Sequence, residues 1–357
     1  MRPTLAATLC AVVVFAVATR ADRADDYIKA QMDQFHVPGL SLVVLKNGRV
    51  VRASAYGVID VKRGTTTTVN SVFKIGSISK QFIATAIMLL AQDGSLRVDD
   101  RVSTYLDDTP TSWAPITIRH LLTHTSGLER ESPAFDPMKV QSDGRVIEAL
   151  YRRRLLFRPG SKWEYSNAGY IVLAEIITRV SHRPWADFIR DRVFMPAEMN
   201  VTVPTNAASI LPNRSLGYTG RHNGRVAAEW IALKPSGAFA STVMDLAKWD
   251  AILNGTTILS DASRRDMWQP VRLNNGSTYP YGFGWHVENW GGHRVVWHDG
   301  VMPGFSAQFL RFDDGLSVIM LANANDFGAG RMATRFGELY RAAEPLAGRD
   351  GGRQERP

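Results

Sequence analysis

The stretch Gly76-Ser77-Ile78-Ser79-Lys80-Gln81-Phe82-Ile83-Ala84-Thr85-Ala86-Ile87-Met88-Leu89-Leu90-Ala91 decides how the rest of the chain is read. Beyond Gln81 it is apolar on nearly every face, so a helix here belongs in the middle of a domain and not on its surface. Asp93-Gly94 supplies the stop. Ser77 and Lys80 are three residues apart and share a face at the mouth of that helix. A serine hydroxyl is a poor nucleophile until a neighbour takes its proton, and a lysine whose pKa is lowered by burial is able to take it. The helix N-terminus favours the negative charge that develops nearby.

A plain structural alternative competes: Ser77 as a helix cap and Lys80 as a solvated first-turn residue. Average residue usage puts a Ser-x-x-Lys string about once in a chain this long by chance. A second copy, Ser71-Val72-Phe73-Lys74, is indeed present. It lies in an extended-looking run, where a period of two sends its serine and lysine to opposite faces. Ser77 is therefore the better candidate, although the string alone carries little weight.

The chain starts with Met1-Arg2, an apolar run from Leu5 to Val17, and Ala16-Val17-Ala18, which together predict a secretory signal peptide over residues 1–18. The run is short for a membrane span, and membrane attachment is expected only if the leader stays uncleaved. Secretion or a periplasmic location follows. Cys10, the single cysteine, falls inside the leader, so the mature chain is expected to have no disulfide, thiolate chemistry or cysteine metal site. The formal charge of +8 is scattered apart from Arg152-Arg153-Arg154 and the tail. That argues against nucleic acid as a partner.

Strands are expected at both ends. Lys46-Asn47-Gly48-Arg49 between apolar runs is a hairpin signal, with Phe73 to Ile75 extending that region, and a helix precedes it near Asp25 to Phe35. Tyr281 to Asn289, Arg294 to His298, Ser306 to Phe312 and Leu316 to Asn323 read as an antiparallel meander, closed by a helix from Gly330 to Ala343. Helical patterns lie between, at Ile116 to Leu128 with Thr117 as its cap, Val146 to Arg154, Ala168 to Ser181, Ala186 to Val193 and Asp245 to Leu253. The fold class is α/β (α+β): one antiparallel sheet from both chain ends flanked by helices, with a helical insert over about 95–240. A single domain over residues 19–346 and a disordered tail over 347–357 complete the division, and the active cleft is expected between sheet and insert.

Two more signals join the first. Tyr165-Ser166-Asn167 is the one Tyr-x-Asn in the chain. A tyrosine near Lys80, its phenol pKa lowered by the cation, could shuttle protons to and from Ser77, with Asn167 holding a substrate amide. A loop tyrosine with a packed ring is the structural alternative. His298-Asp299-Gly300 ends a strand-like run. Its glycine would let a substrate backbone approach, and the Val301 amide would hold an oxyanion with the amide of Ser77. His222-Asn223-Gly224 also fits His-x-Gly but reads as a hairpin turn. His120 and His124, one helical turn apart, read as core or capping residues. They lack the intervening glutamate and third ligand of a zinc site.

Phe73 to Phe82, Ile118 to Leu128, Tyr165 to Tyr170, Ser241 to Leu246 and His298 to Phe305, in that order, resemble the class C β-lactamase and low-molecular-weight penicillin-binding protein family of serine hydrolases. The resemblance covers about residues 25 to 340. It implies a β-lactamase/transpeptidase-like fold, Ser77 as acylated nucleophile, Lys80 as its activator, Tyr165 as general base then acid, Asn167 as substrate contact and no cofactor or metal. His298 and Asp299 stand where β-lactamases of this type usually carry lysine and threonine, which bind a substrate carboxylate. A neutral histidine attracts an anion less, and an aspartate facing the cleft repels it.

The expectation is an exported enzyme acting on an ester or amide, as an esterase or a D-amino-acid peptidase or carboxypeptidase. Its substrate would be a small molecule or peptide, with cell-wall peptide one candidate. A class C-like β-lactamase is the first alternative and a non-catalytic binder of cell-wall peptide the second. The α/β-hydrolases are disfavoured by the absence of a Gly-x-Ser-x-Gly elbow, and class A β-lactamases by Tyr-Ser-Asn where that class has Ser-Asp-Asn.

Overall fold

The computed structural model of the protein describes residues 24–343, apart from 207–209, 221, 223 and 326. The expected leader over 1–18, Cys10, Asn223 and the expected tail over 347–357 lie outside the described residues. A helix over 24–35 (α1) leads into β1 (Gly39–Lys46) and β2 (Arg49–Asp60). Their turn is Asn47-Gly48, both residues at positive φ, the geometry that matches the twist of a two-residue hairpin. A short β3 (Thr65–Thr66) follows on the edge. The other four strands come from the far end of the chain: β4 (His286–Trp290), β5 (His293–Met302), β6 (Phe305–Phe312) and β7 (Leu316–Ala322).

These make one seven-stranded antiparallel sheet in the order β4-β5-β6-β7-β1-β2-β3. The two chain ends meet where Leu40 to Lys46 pairs with Ala322 to Leu316. Alternate side chains divide between two cores. Leu42, Val44, Val318 and Met320 pack on one face against α1 and the closing helix α9 (Ala329–Ala343), where Ile28, Met332 and Phe336 are buried. Val43, Leu45, Phe309 and Ile319 belong to the other face, which covers the buried helix α2 (Lys80–Gln92).

Between the two ends lie α3 (Ile118–Leu122), α4 (Asp143–Tyr151), α5 (Asn167–Ser181) and α6 (Trp185–Ile189), the expected helical insert. Then α7 (Val243–Ile252) and α8 (Asp261–Met267) return the chain to the sheet. Among the described residues no helix is long and apolar enough to cross a membrane.

Three expectations shift. Phe73–Lys74 is a strand, but it pairs with Phe239–Ser241 and not with the main sheet. The helix expected from Ile116 to Leu128 is short, because His124 takes a positive φ. Tyr281 to Trp285 does not continue β4, since Gly284 at φ +75 turns the backbone against the carbonyl of Lys80.

Candidate active site

Ser77 sits on a 3-10 turn, Gly76–Ser79, and not at a cap, since no side-chain hydrogen bond closes that helix end. Two extended segments hold the turn. On one side, Ile75 N–H donates to the Phe239 carbonyl and Phe239 N–H donates to Ser79 Oγ. On the other, β5 passes so close that a Cβ on Gly300 would lie 1.9 Å from the Ile75 carbonyl oxygen, and one on Gly76 would lie 2.7 Å from Val301 N. Gly300 therefore admits the turn's own backbone, not the substrate's as expected. Gly76 itself has φ +51, a conformation side chains disfavour. This packing brings the Val301 amide beside the Ser77 amide, the pair that the sequence proposes for an oxyanion.

Lys80 is wholly buried on the first turn of α2. Its Nζ lies 3.0 Å from Ser77 Oγ, 2.8 Å from Asn167 Oδ1 and 2.9 Å from the Ser236 carbonyl oxygen. Burial holds its pKa well below the usual lysine range. The charge of Lys234 acts in the same direction, and Glu131 and Asp299 act against it. A neutral amine has two N–H groups and one lone pair. Both carbonyl-type partners can only accept, so they take the two N–H groups and the lone pair falls to Ser77. Asn167 is itself oriented, because its Nδ2 donates to Glu131 Oε1 at 2.6 Å. Its amide thus holds Lys80 in place, a role the sequence does not suggest.

Tyr165 reaches the site from the segment before α5, with the Lys80 ammonium position 4.7 Å from its ring centroid and the Arg130 guanidinium 5.1 Å away. Burial raises its pKa above the usual tyrosine range, against a hydrogen bond with Ser77. The expected lowering by a cationic Lys80 is corrected here. Enclosure of the phenol itself sets the direction and keeps its proton on.

His298 differs from expectation in placement. It is wholly buried and turned inward, and its partners are protein groups. Ser166 N–H donates to His124 Nδ1, His124 Nε2 meets Tyr281 Oη at 3.1 Å, Tyr281 Oη meets His298 Nε2 at 3.0 Å, and His298 Nδ1 lies 2.6 Å from the Asp299 carbonyl oxygen. Burial pushes the His298 pKa down to about 3 and that of His124 well below its usual value, so both rings are neutral. These contacts then leave one assignment: His124 donates to Tyr281, Tyr281 donates to His298, and His298 donates to the carbonyl. No ring nitrogen of His298 remains for a substrate.

Asp299, next along β5, turns to the other face. Half exposed, it lines with Val301 and Gln308 a groove of about 740 Å³ beneath α9, on the far side of the strand from Ser77. Asp299 therefore acts on the reacting groups as a charge at the rim, not as a contact in the cleft. His120 closes a capping box with Thr117, its Nδ1 accepting from Thr117 N–H at 3.1 Å. No cluster of His, Cys, Asp or Glu among the described residues is placed to hold a metal. The second Ser-x-x-Lys is structural: Ser71 Oγ accepts from Thr68 N–H, and Lys74 pairs with Glu229 at 2.6 Å. Glu131, Lys234, Ser236 and Tyr281 escape the sequence reading as site residues: the first three enter from segments whose local pattern carries no signal, and Tyr281 reads only as the start of a strand.

A profile of the Beta-lactamase family matches residues 24–341. The chain belongs to that family. Its members are serine hydrolases, and the family's β-lactamase/transpeptidase-like fold is the one described above. Penicillin-binding protein 4* of Bacillus subtilis (strain 168) is 32% identical over 310 residues, covering 80% of this chain and 68% of the relative. An octameric penicillin-binding protein homologue from Pyrococcus abyssi superposes with a TM-score of 0.78 at 26% identity, over 90% of this chain and 76% of that one. D-amino acid amidase from Ochrobactrum anthropi SV3 superposes with a TM-score of 0.68 at 26% identity, over 85% of this chain and 93% of that one.

Proposed function

We propose that the protein is an exported serine hydrolase that cleaves an ester or amide through an acyl-enzyme on Ser77. The observation that carries this reading is the placement of Lys80 Nζ, 3.0 Å from Ser77 Oγ and held by the Asn167 and Ser236 carbonyl oxygens, so that in its neutral form the lone pair is left for the Ser77 proton. Lys80 accepts the Ser77 proton as Oγ attacks the carbonyl carbon, and the amides of Ser77 and Val301 hold the oxyanion. Tyr165, kept protonated by burial, gives its proton to the leaving group and recovers one from Lys80. Water then attacks the acyl carbonyl and gives a proton to Lys80, and as the bond to Ser77 Oγ breaks the serine takes that proton back.

For the substrate we favour a D-amino-acid amide or peptide, or a simple ester, over a β-lactam. The names of the two similar solved proteins support a penicillin-binding or D-amino acid amidase type. Against a β-lactam stands His298, neutral and enclosed at the position where a lysine would attract a carboxylate. Export rests on the leader pattern of Met1 to Ala18.

A fluorophosphonate or penicillin probe is expected to add its mass to the tryptic peptide containing Ser77. Labelling that persists in Ser77→Ala overturns the reading. A panel of p-nitrophenyl esters, D-amino-acid amides, D-alanyl peptides and nitrocefin then separates the substrate classes, with nitrocefin expected to be the poorest.

A further inference from the structure

Lys234 lies one residue before the Pro235–Gly237 turn, whose Ser236 carbonyl binds Lys80. Its Nζ donates to Glu131 Oε1 at 2.7 Å, and the same oxygen accepts from Asn167 Nδ2 at 2.6 Å. Asn167 Oδ1 in turn bonds Lys80 Nζ. Four side chains therefore run in series from the reacting amine to a second lysine. The Lys234 side chain is only 10% exposed, with its ammonium 5.0 Å from the Phe135 ring centroid and 5.7 Å from that of Trp230. Enclosing an ammonium this far is costly without a specific partner. Glu131 is that partner.

The arrangement matters because Glu131 is only one amide away from Lys80. A carboxylate at that distance favours an ammonium on Lys80, and an ammonium has no lone pair with which to take the Ser77 proton. We propose that Lys234 is a positioning residue for the reaction: its ammonium neutralises Glu131, so that the carboxylate orients Asn167 without turning Lys80 into a cation. This rests on the reading in which Ser77 is the nucleophile and Lys80 its base. The other charges facing Lys80 act in opposite directions, with Asp299 favouring a proton on it and Arg130 opposing one. His124 and His298 are neutral, and Tyr165 and Tyr170 keep their protons, so none of the four supplies a competing charge.

The test is the pH profile of kcat/KM on the full chain for wild type, Lys234→Met, Glu131→Gln, the double variant and Lys234→Arg. Lys234→Met is expected to move the acidic limb to higher pH, a loss of about tenfold at a fixed pH on that limb, with a smaller change on the alkaline plateau. Glu131→Gln, which keeps the shape of the side chain, moves the limb the other way. The double variant returns towards wild type, and Lys234→Arg stays close to it. A loss in Lys234→Met that is equal at every pH, or one that Glu131→Gln does not reverse, overturns the proposal and leaves Lys234 a structural residue. Fluorophosphonate labelling of wild-type Ser77 at alkaline pH keeps the two readings apart. Its failure sinks the acyl-enzyme, while labelling with an unmoved limb sinks only the role of Lys234.

Discussion

A free lysine amine offers two N–H bonds to its surroundings, and in this site both point at carbonyl oxygens. In the neutral form of Lys80 that leaves the lone pair for Ser77, and proton acceptance is the chemistry the proposed mechanism asks of it. Tyr165 is complementary, a phenol that burial keeps protonated. Tyr165→Phe retains the ring and removes only the hydroxyl, so kcat/KM is expected to fall by about two to four orders of magnitude with little change in thermal stability. A fall of less than threefold would assign Tyr165 to packing. Tyr281 carries the opposite expectation. Tyr281→Phe strips a partner from both His124 Nε2 and His298 Nε2, and leaving a buried polar group unpaired costs about 1–3 kcal/mol each. Denaturant melts should show a loss of that order, larger than that of Tyr165→Phe.

At the scale of elements, the site depends on β5 and the Gly76–Ser79 turn touching backbone to backbone. Any side chain at residue 300 forces them apart, since its Cβ would fall 1.9 Å from the Ile75 carbonyl oxygen. Gly300→Ala is therefore expected to pull Val301 N from the oxyanion position and to lower the rate of Ser77 acylation by about a hundredfold or more, the usual worth of one oxyanion donor. Gly144 in α4 is the matched control. A Cβ there meets nothing within 4 Å, and Gly144→Ala is expected to stabilise the fold by about 0.5–1 kcal/mol without altering acylation. Acylation followed by stopped-flow with a chromogenic ester separates the two variants, and equal rates would mean the close approach is not needed.

At the scale of the whole molecule, folding encloses histidines that would otherwise titrate near 6.5. His286 and His298 are both pushed down to about 3, chiefly by burial. Between about pH 6.5 and 3 the unfolded chain binds more protons at these rings, so their contribution is complete above that window and is lost as the pH falls through it. Asp143 runs in reverse. Burial raises its pKa to about 7 although Trp185 Nε1 donates to it at 2.9 Å, so stability falls as the pH rises from about 4 to 7. Urea melts are expected to show wild-type stability dropping below pH 6. Asp143→Asn, which keeps an acceptor for Trp185, should raise stability at pH 8 and change little at pH 4. A gain of equal size at both pH values would show that the Asp143 charge is not what the fold pays for.

The sequence by itself determined the elements and the order of the motifs. A nearly all-apolar run such as Phe82 to Leu90 has to be buried, Asn47-Gly48 has to turn, and short apolar runs such as Leu316 to Ala322, bounded by turn residues, make a sheet; these are local consequences of chain geometry and hydrophobicity. Ser77, Lys80 and Tyr165 were legible as candidates only jointly, because each motif alone carries little weight and the ordered set with its family resemblance picked them out. Only the tertiary structure decided the electrostatics. His298 looks like a substrate contact in one dimension, yet the pleat turns it inward onto Tyr281 and turns Asp299 out towards α9. The expected lowering of the Tyr165 pKa rested on the charge of Lys80, and the sign is reversed because the fold buries the phenol itself. Glu131 and Lys234 are more than a hundred residues apart and meet at 2.7 Å. No local pattern encodes such a pair, since protonation and pairing depend on which groups the fold brings together and on how much water it removes from them.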